Sequence, residues 1–316
     1  MSLYISNFDM KKFVKKVALF LGIILTVNVL YLVLLNQLPA YIGYFKIPED
    51  PDRIETIILA DSHGEVLKQD SLPDHIYNFS YGSDSYLDNR MKLSYARTHF
   101  KNLKNVIISV DEHEFLSYRE KFNNNDKSLW YSDYEGYKEW FPKTNRVNYL
   151  MSKFVQQYVP VASKKNSALV WQFLKGSLFE RNSENNATKT KPDRWCDIPN
   201  DKQLSLEENR VNYQFETMFN KGLGETFIRI LEDAKQDGLK TVGVKFPLTG
   251  RYKERLKNYD FTEVQKVLSK SGVKVLDFSD SIEDICLFKD QDHLNSVGSM
   301  ILLGLMEQEL ATYPCP

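Results

Sequence analysis

Apolar and polar positions divide the chain into three patterns. Residues 17–35 (VALFLGIILTVNVLYLVLL) carry no charge, with Thr26 and Asn28 as their polar side chains. About 20 apolar residues are what a helix needs to cross the hydrocarbon core of a bilayer, where its backbone must satisfy itself. Short, apolar, β-branched runs follow at residues 54–60 (IETIILA), 76–79, 105–110 (NVIISV), 239–246 (LKTVGVKF) and 273–278 (VKVLDF). Their length predicts strands, and residues 64–72, 85–100, 225–238, 261–271 and 296–313 read as helices between and after them. Such strands, separated by helices, predict a mainly parallel sheet covered on both faces. The expected fold class is α/β: a doubly wound three-layer αβα sandwich with about five strands.

The third pattern is residues 115–224, which break the alternation and are rich in Tyr, Trp, Asn and Lys. We read them as a mostly helical insertion, with helical pieces at 147–158 and 167–179 and an exposed loop at 181–193. Lys11, Lys12, Lys15 and Lys16 precede the apolar run and no comparable cluster follows it. The positive-inside rule then puts the N-terminus in the cytoplasm. The expected organisation is residues 1–45 as cytoplasmic tail and signal-anchor, and 46–316 as an extracytoplasmic domain. A cleavable signal peptide fits less well, because no small-x-small site follows the run.

Composition changes this picture little. A formal net charge of −1 over 316 residues, with no basic patch interleaved with aromatics, argues against a nucleic-acid partner. The three cysteines, Cys196, Cys286 and Cys315, are too few for a disulfide framework and lack zinc-site spacing. Outside the cytoplasm one pair could oxidise, but isolated structural cysteines are the expectation. The tyrosines between residues 118 and 158 could line a carbohydrate cleft, although aromatic residues more often pack.

Candidate chemistry lies where the first strand ends, at Ala60-Asp61-Ser62-His63-Gly64. Ligands and catalytic groups of open α/β sheets collect at the carboxyl ends of strands. Ser62 there suits a nucleophile; alternatively Asp61 or Ser62 only caps a helix. Near the C-terminus Asp290 and His293 form D-x-x-H just before the last helix. Asp290 there can accept the imidazole Nδ1–H and leave Nε2 facing a serine, which is the logic of a Ser-His-Asp triad. Asp292 is the rival orienter. A metal site joining His63 to His293 or His113 would need more converging ligands, so neither metal nor organic cofactor is expected. His113, with Asp111 and Glu112, reads as a solvated charge cluster at a strand end.

Together these residues resemble the SGNH (GDSL-like) hydrolase superfamily, whose fold is of the same flavodoxin-like type. Ala60-Asp61-Ser62 stands for its G-D-S block with Ala replacing Gly, and Asp290, His293, Asn295 and Gly298 for its last block. Asn78-Phe79-Ser80-Tyr81-Gly82 resembles the second block, which makes Gly82 N–H, with Ser62 N–H, the implied oxyanion donor. The third block, G-x-N-D, is not matched: Ser109-Val110-Asp111-Glu112-His113 stands there. The resemblance implies Ser62, His293 and Asp290 as catalytic residues, and substrate-binding roles for Asp61, His63, Asn78 and Asn295. The anchor and insertion look like members that work beside a membrane-bound O-acyltransferase and acylate a surface polysaccharide or teichoic acid. A surface esterase and a non-catalytic scaffold are the alternatives.

Overall fold

The computed structural model describes residues 10–140, 143–159, 170–171 and 194–311. In chain order the main elements are α1 (Met10–Leu35), β1 (Thr56–Leu59), α2 (Ser62–Glu65), β2 (Ile76–Asn78), α3 (Tyr86–His99), β3 (Asn105–Ser109), α4 (Arg146–Tyr158), α5 (Asn200–Phe215), α6 (Lys221–Gln236), β4 (Lys240–Lys245), α7 (Gly250–Leu256), α8 (Thr262–Ser271), β5 (Lys274–Asp277) and α9 (Ser296–Ala311). The chain falls into two compact units, Met1–Lys46 with Thr144–Ala187, and Ile47–Lys143 with Thr188–Pro316.

In the larger unit every apolar run becomes a strand of one parallel sheet, ordered β2-β1-β3-β4-β5. Alternation decides which side chain meets which layer. Ile58, Ile107, Val244 and Leu276 share one face and pack with Leu302 and Met306 of α9 and with Trp195. Ile57, Leu59, Val106 and Ile108 point the other way and are also fully buried. On that side α6 packs against α3, α8 and β4. The three-layer αβα arrangement is thus the observed fold. Gly238 and Gly272, at φ +72° and +65°, end α6 and α8 in the left-handed conformation that costs glycine least.

Two expectations need correcting. No single helix covers 64–72. Asp61 caps α2 through the N–H of His63, and Asn78 Nδ2 then takes the carbonyls of Gly64 and Leu67, turning the chain after one helical turn. The cysteines are not all isolated: Cys196 is bonded to Cys286 across 90 residues. The readings for 167–179, 181–193 and Cys315 lie, wholly or almost wholly, outside the described residues.

The disulfide ties the segment carrying Trp195 to the loop that leads into Asp290. Nearby, Trp195 N–H donates to Phe288 O at 2.7 Å and Asn295 Nδ2 to Cys286 O at 2.8 Å. Closing a loop of that length removes much unfolded-state entropy, typically worth about 2–4 kcal/mol. Cys196→Ser is expected to lower the unfolding free energy by that margin, with a lower urea midpoint and a larger m-value because the unfolded chain expands. An unchanged midpoint would show that the bridge contributes nothing to stability.

Candidate active site

Ser62 opens α2 directly beyond β1, and the turn admits little bulk. A Cβ on Gly64 would lie 2.5 Å from Ser80 Oγ and 2.6 Å from Ala60 Cβ. His293 sits in the loop between β5 and α9. The parallel crossovers bring these two residues, 231 positions apart, to one sheet edge, where His293 Nε2 lies 2.8 Å from Ser62 Oγ. His293 Nδ1 lies 2.8 Å from Asp290 Oδ1 and 3.1 Å from Asp292 Oδ1. Both candidate orienters therefore face the same nitrogen. Asp290 Oδ1 also accepts the backbone N–H groups of Asp292 and His293, so it shapes the loop as well as the ring.

Asp292 is the more deeply buried carboxylate. Its Oδ2 accepts from Arg210 Nε at 2.8 Å and lies 3.6 Å from His63 Nε2, and its Oδ1 accepts from Gln291 Nε2. Burial opposes its ionisation, yet His293 and Arg210 hold its carboxyl well below the usual range. For His293 burial favours the neutral ring, but Asp292 and Asp290 outweigh it and raise the pKa to about 9. The resting imidazole is consequently protonated at neutral pH, whereas a base that accepts the serine proton must be neutral. Activity carried by this histidine should climb about tenfold per pH unit up to about 9, then level off. Rates of ester cleavage between pH 6 and 10, corrected for spontaneous hydrolysis, check this; a plateau already reached at pH 7 contradicts it.

Beneath Ser62 lies a buried polar network that sequence reading misplaced. Asp61 is no substrate ligand: it caps α2, and its Oδ2 accepts from Arg119 and pairs with His113 Nε2 at 2.9 Å. Burial works against its ionisation, but Arg119, His63 and His113 keep the carboxyl well below the usual range. His63 is 3% exposed, too covered to touch substrate. Its Nδ1 lies 2.9 Å from Asp111 Oδ2, and its ring meets those of His113 and His293 edge-on. Asp111 also accepts from Ser109 Oγ and Phe246 N–H. Asp111 and His113 are therefore core residues and not a solvated cluster. Burial drops His113 to about 4, while Asp61 and Asp111 overcome burial to raise His63 well above its usual value.

Asn78 and Asn295 both have structural partners. Asn78 spends its amide on Gly64 O and Leu67 O and its oxygen on Ser80 N–H. Asn295 lines the cavity, yet it caps α9 through Val297 and Gly298 N–H and holds Cys286 O. Two trios, Asp61/His63/His113 and His63/Asp292/His293, cluster tightly enough to suggest a cation. In each trio a guanidinium, Arg119 or Arg210, already neutralises the carboxylate and would repel one.

Gly82 lies close to Ser62: a Cβ on it would fall 4.0 Å from Ser62 Cβ. Its N–H, however, donates to Glu65 Oε2 at 2.8 Å. An oxyanion formed on Ser62 can take that N–H only after the carboxylate swings away. Glu65, one helical turn after Ser62, carried no motif signal; its i,i+3 spacing was the available hint. The open side of the site is a cavity of about 380 Å³ lined by Ser62, Glu65, Lys68, Lys289, His293 and Ser296. That size and polar lining suit a small hydroxylated or ester-bearing group.

No family model matches this chain, and no curated protein matches it in sequence. Among solved structures it is similar to a Bacteroides fragilis protein provisionally described as an acylhydrolase. The identity is 10%, the TM-score 0.39, and the match covers 87% of this chain and 95% of that one. It is also similar to a GDSL-like lipase of Bacteroides thetaiotaomicron, at 8% identity and TM-score 0.37 over 87% and 97% of the two chains.

Proposed function

We propose that this chain is a membrane-tethered serine enzyme of the SGNH type that forms an acyl-serine on Ser62. The observation that carries the reading is the contact of Ser62 Oγ with His293 Nε2, with Asp290 and Asp292 behind the ring. Once His293 is neutral, its Nε2 accepts the Ser62 proton as Oγ attacks an ester carbonyl. The tetrahedral intermediate expels the alcohol, which takes the proton from His293, and an acyl-serine remains. A second hydroxyl then gives its proton to His293 and attacks the acyl-serine, and Ser62 Oγ leaves and takes that proton back from His293. With a sugar hydroxyl the outcome is O-acyl transfer; with water it is ester hydrolysis. We favour transfer of an O-acetyl or similar group to a surface polysaccharide or teichoic acid, beside a membrane-bound O-acyltransferase that supplies the acyl group. The support is the resemblance together with α1, which is long and apolar enough to cross a membrane. A disulfide persists in oxidising surroundings, which agrees with an extracytoplasmic domain.

A tagged fluorophosphonate applied to membranes carrying the full chain tests the nucleophile. Labelling is expected on the wild type and not on Ser62→Ala; equal labelling of both, or of neither, rejects an activated Ser62. Protease added to right-side-out vesicles should digest the larger unit, and its protection in sealed vesicles would reverse the topology. Acylation of the polymer in cells, compared with release of free acid, separates transferase from esterase.

A further inference from the structure

The smaller unit has a helix with its polarity turned inside out. Along α4 the side chains of Val147, Leu150, Met151, Phe154 and Tyr158 are each about half exposed or more. They recur at i, i+3, i+4, i+7 and i+11 and so form one stripe. The opposite stripe, Tyr149, Ser152, Lys153 and Gln156, is buried or half-buried. A helix on a protein in water does the reverse, burying its apolar stripe. The cost of leaving such a stripe in water disappears where the surroundings are hydrocarbon.

A second observation says which surroundings. On α1 the described side chains are exposed except for a few toward its C-terminal end, and Asn28 and Leu35 are its buried residues. Asn28 Nδ2 donates to the backbone carbonyl of Tyr158, the last residue of α4. The final carbonyls of a helix have no partner within it, and in lipid each needs one. A polar residue inside an apolar span calls for a partner of this kind. Asn28 precedes the end of α1 by seven residues, about 10 Å along the helix axis. The hydrocarbon core is about 30 Å thick. Closer to the end of α1, Val170 packs with Leu35, Leu38 and Tyr41. The end of α4 thus lies deeper along the span than Val170 does.

We infer that α4 is a lipid-facing helix that dips into the outer part of the bilayer beside α1, held there by Asn28. This rests on the reading of α1 as a membrane span. Its occupant is the acyl-chain region itself, against which the Val147–Tyr158 stripe lies. The insertion would then give the protein a second membrane contact besides its anchor.

The test uses the full chain with Cys315→Ser, reconstituted in phosphatidylcholine–phosphatidylglycerol vesicles. One fluorophore is attached at a time through Met151→Cys, Phe154→Cys, Leu25→Cys in α1 or Lys257→Cys on the larger unit. Labels at 151, 154 and 25 are expected to be quenched several-fold more by doxyl-labelled lipid than by aqueous iodide, and the label at 257 the reverse. If 25 responds to lipid while 151 and 154 respond to iodide, α4 is not in the membrane although the span stands. If 25 also responds to iodide, the span reading itself fails. Shielding of 151 and 154 from both quenchers means protein covers the stripe and overturns the lipid assignment. Asn28→Leu should raise iodide quenching at 154 at least twofold and leave 25 unchanged; no change at 154 would overturn the capping role.

Discussion

Ser62→Ala is expected to lower turnover of an ester substrate by roughly 10⁴- to 10⁶-fold. The fold should survive, because Ser62 is only half-buried at the mouth of the cavity and its hydroxyl contacts are with His293 and, at 3.5 Å, Asp61. His293→Ala should be nearly as damaging, since it removes the base. The double variant should be little worse than either single one, because the two act as one unit. The carboxylates behave differently. Asp290 and Asp292 both face His293 Nδ1, so Asp290→Asn leaves a second charge to orient and stabilise the ring. A loss of about tenfold is expected there, with a much larger loss when Asp292→Asn is added. Steady-state rates on purified variants, with thermal melts as a control on folding, decide this. A Ser62→Ala protein that keeps its turnover would remove covalent catalysis and favour the scaffold alternative.

Arg119→Met should cost about 3–5 kcal/mol of stability, the largest effect expected away from the reacting atoms. Arg119 is 4% exposed and bonds both Asp61 and, at 3.1 Å, Glu114. Burial holds Glu114 well above the usual carboxylate range, with Arg119 opposing, so the ionised member of the cluster is Asp61. Removing the guanidinium would leave that charge with its histidine partners alone. For a unit of this size the melting temperature should fall by roughly 10 °C. Because Asp61 also caps α2, the Ser62–His293 contact should loosen and activity decline with it. Adding Asp61→Asn should recover part of the stability, by discharging the orphaned carboxylate, without recovering activity. A melting temperature within 2 °C of wild type would mean that water or a rearranged histidine replaces the guanidinium.

Sequence alone determined the parts of this protein that depend on neighbours in the chain. The runs at 54–60, 76–79, 105–110, 239–246 and 273–278 are strands, and α3, α6, α8 and α9 lie where periodicity put them, because burial alternates with the local backbone period. Ser62 and the D-x-x-H pair were legible as short motifs at strand and helix ends. α5 was missed because several positions it buries are polar: Gln203, Glu207 and Gln214 pair with Arg251, Trp195 O and Tyr252, which hides the apolar period. Tertiary structure decided the rest. Which carboxylate faces His293, what occupies Gly82 N–H and which cysteines pair are all set by residues that meet only once β1, β3, β4 and the loop before α9 share one sheet edge. The same meeting turns Asp61, His63, Asp111 and His113 from surface candidates into a buried network. A buried charge persists only beside its partner, and the partners here, Arg119 and Arg210, lie 58 positions from Asp61 and 82 from Asp292. Residue type and local spacing carry no record of such distances.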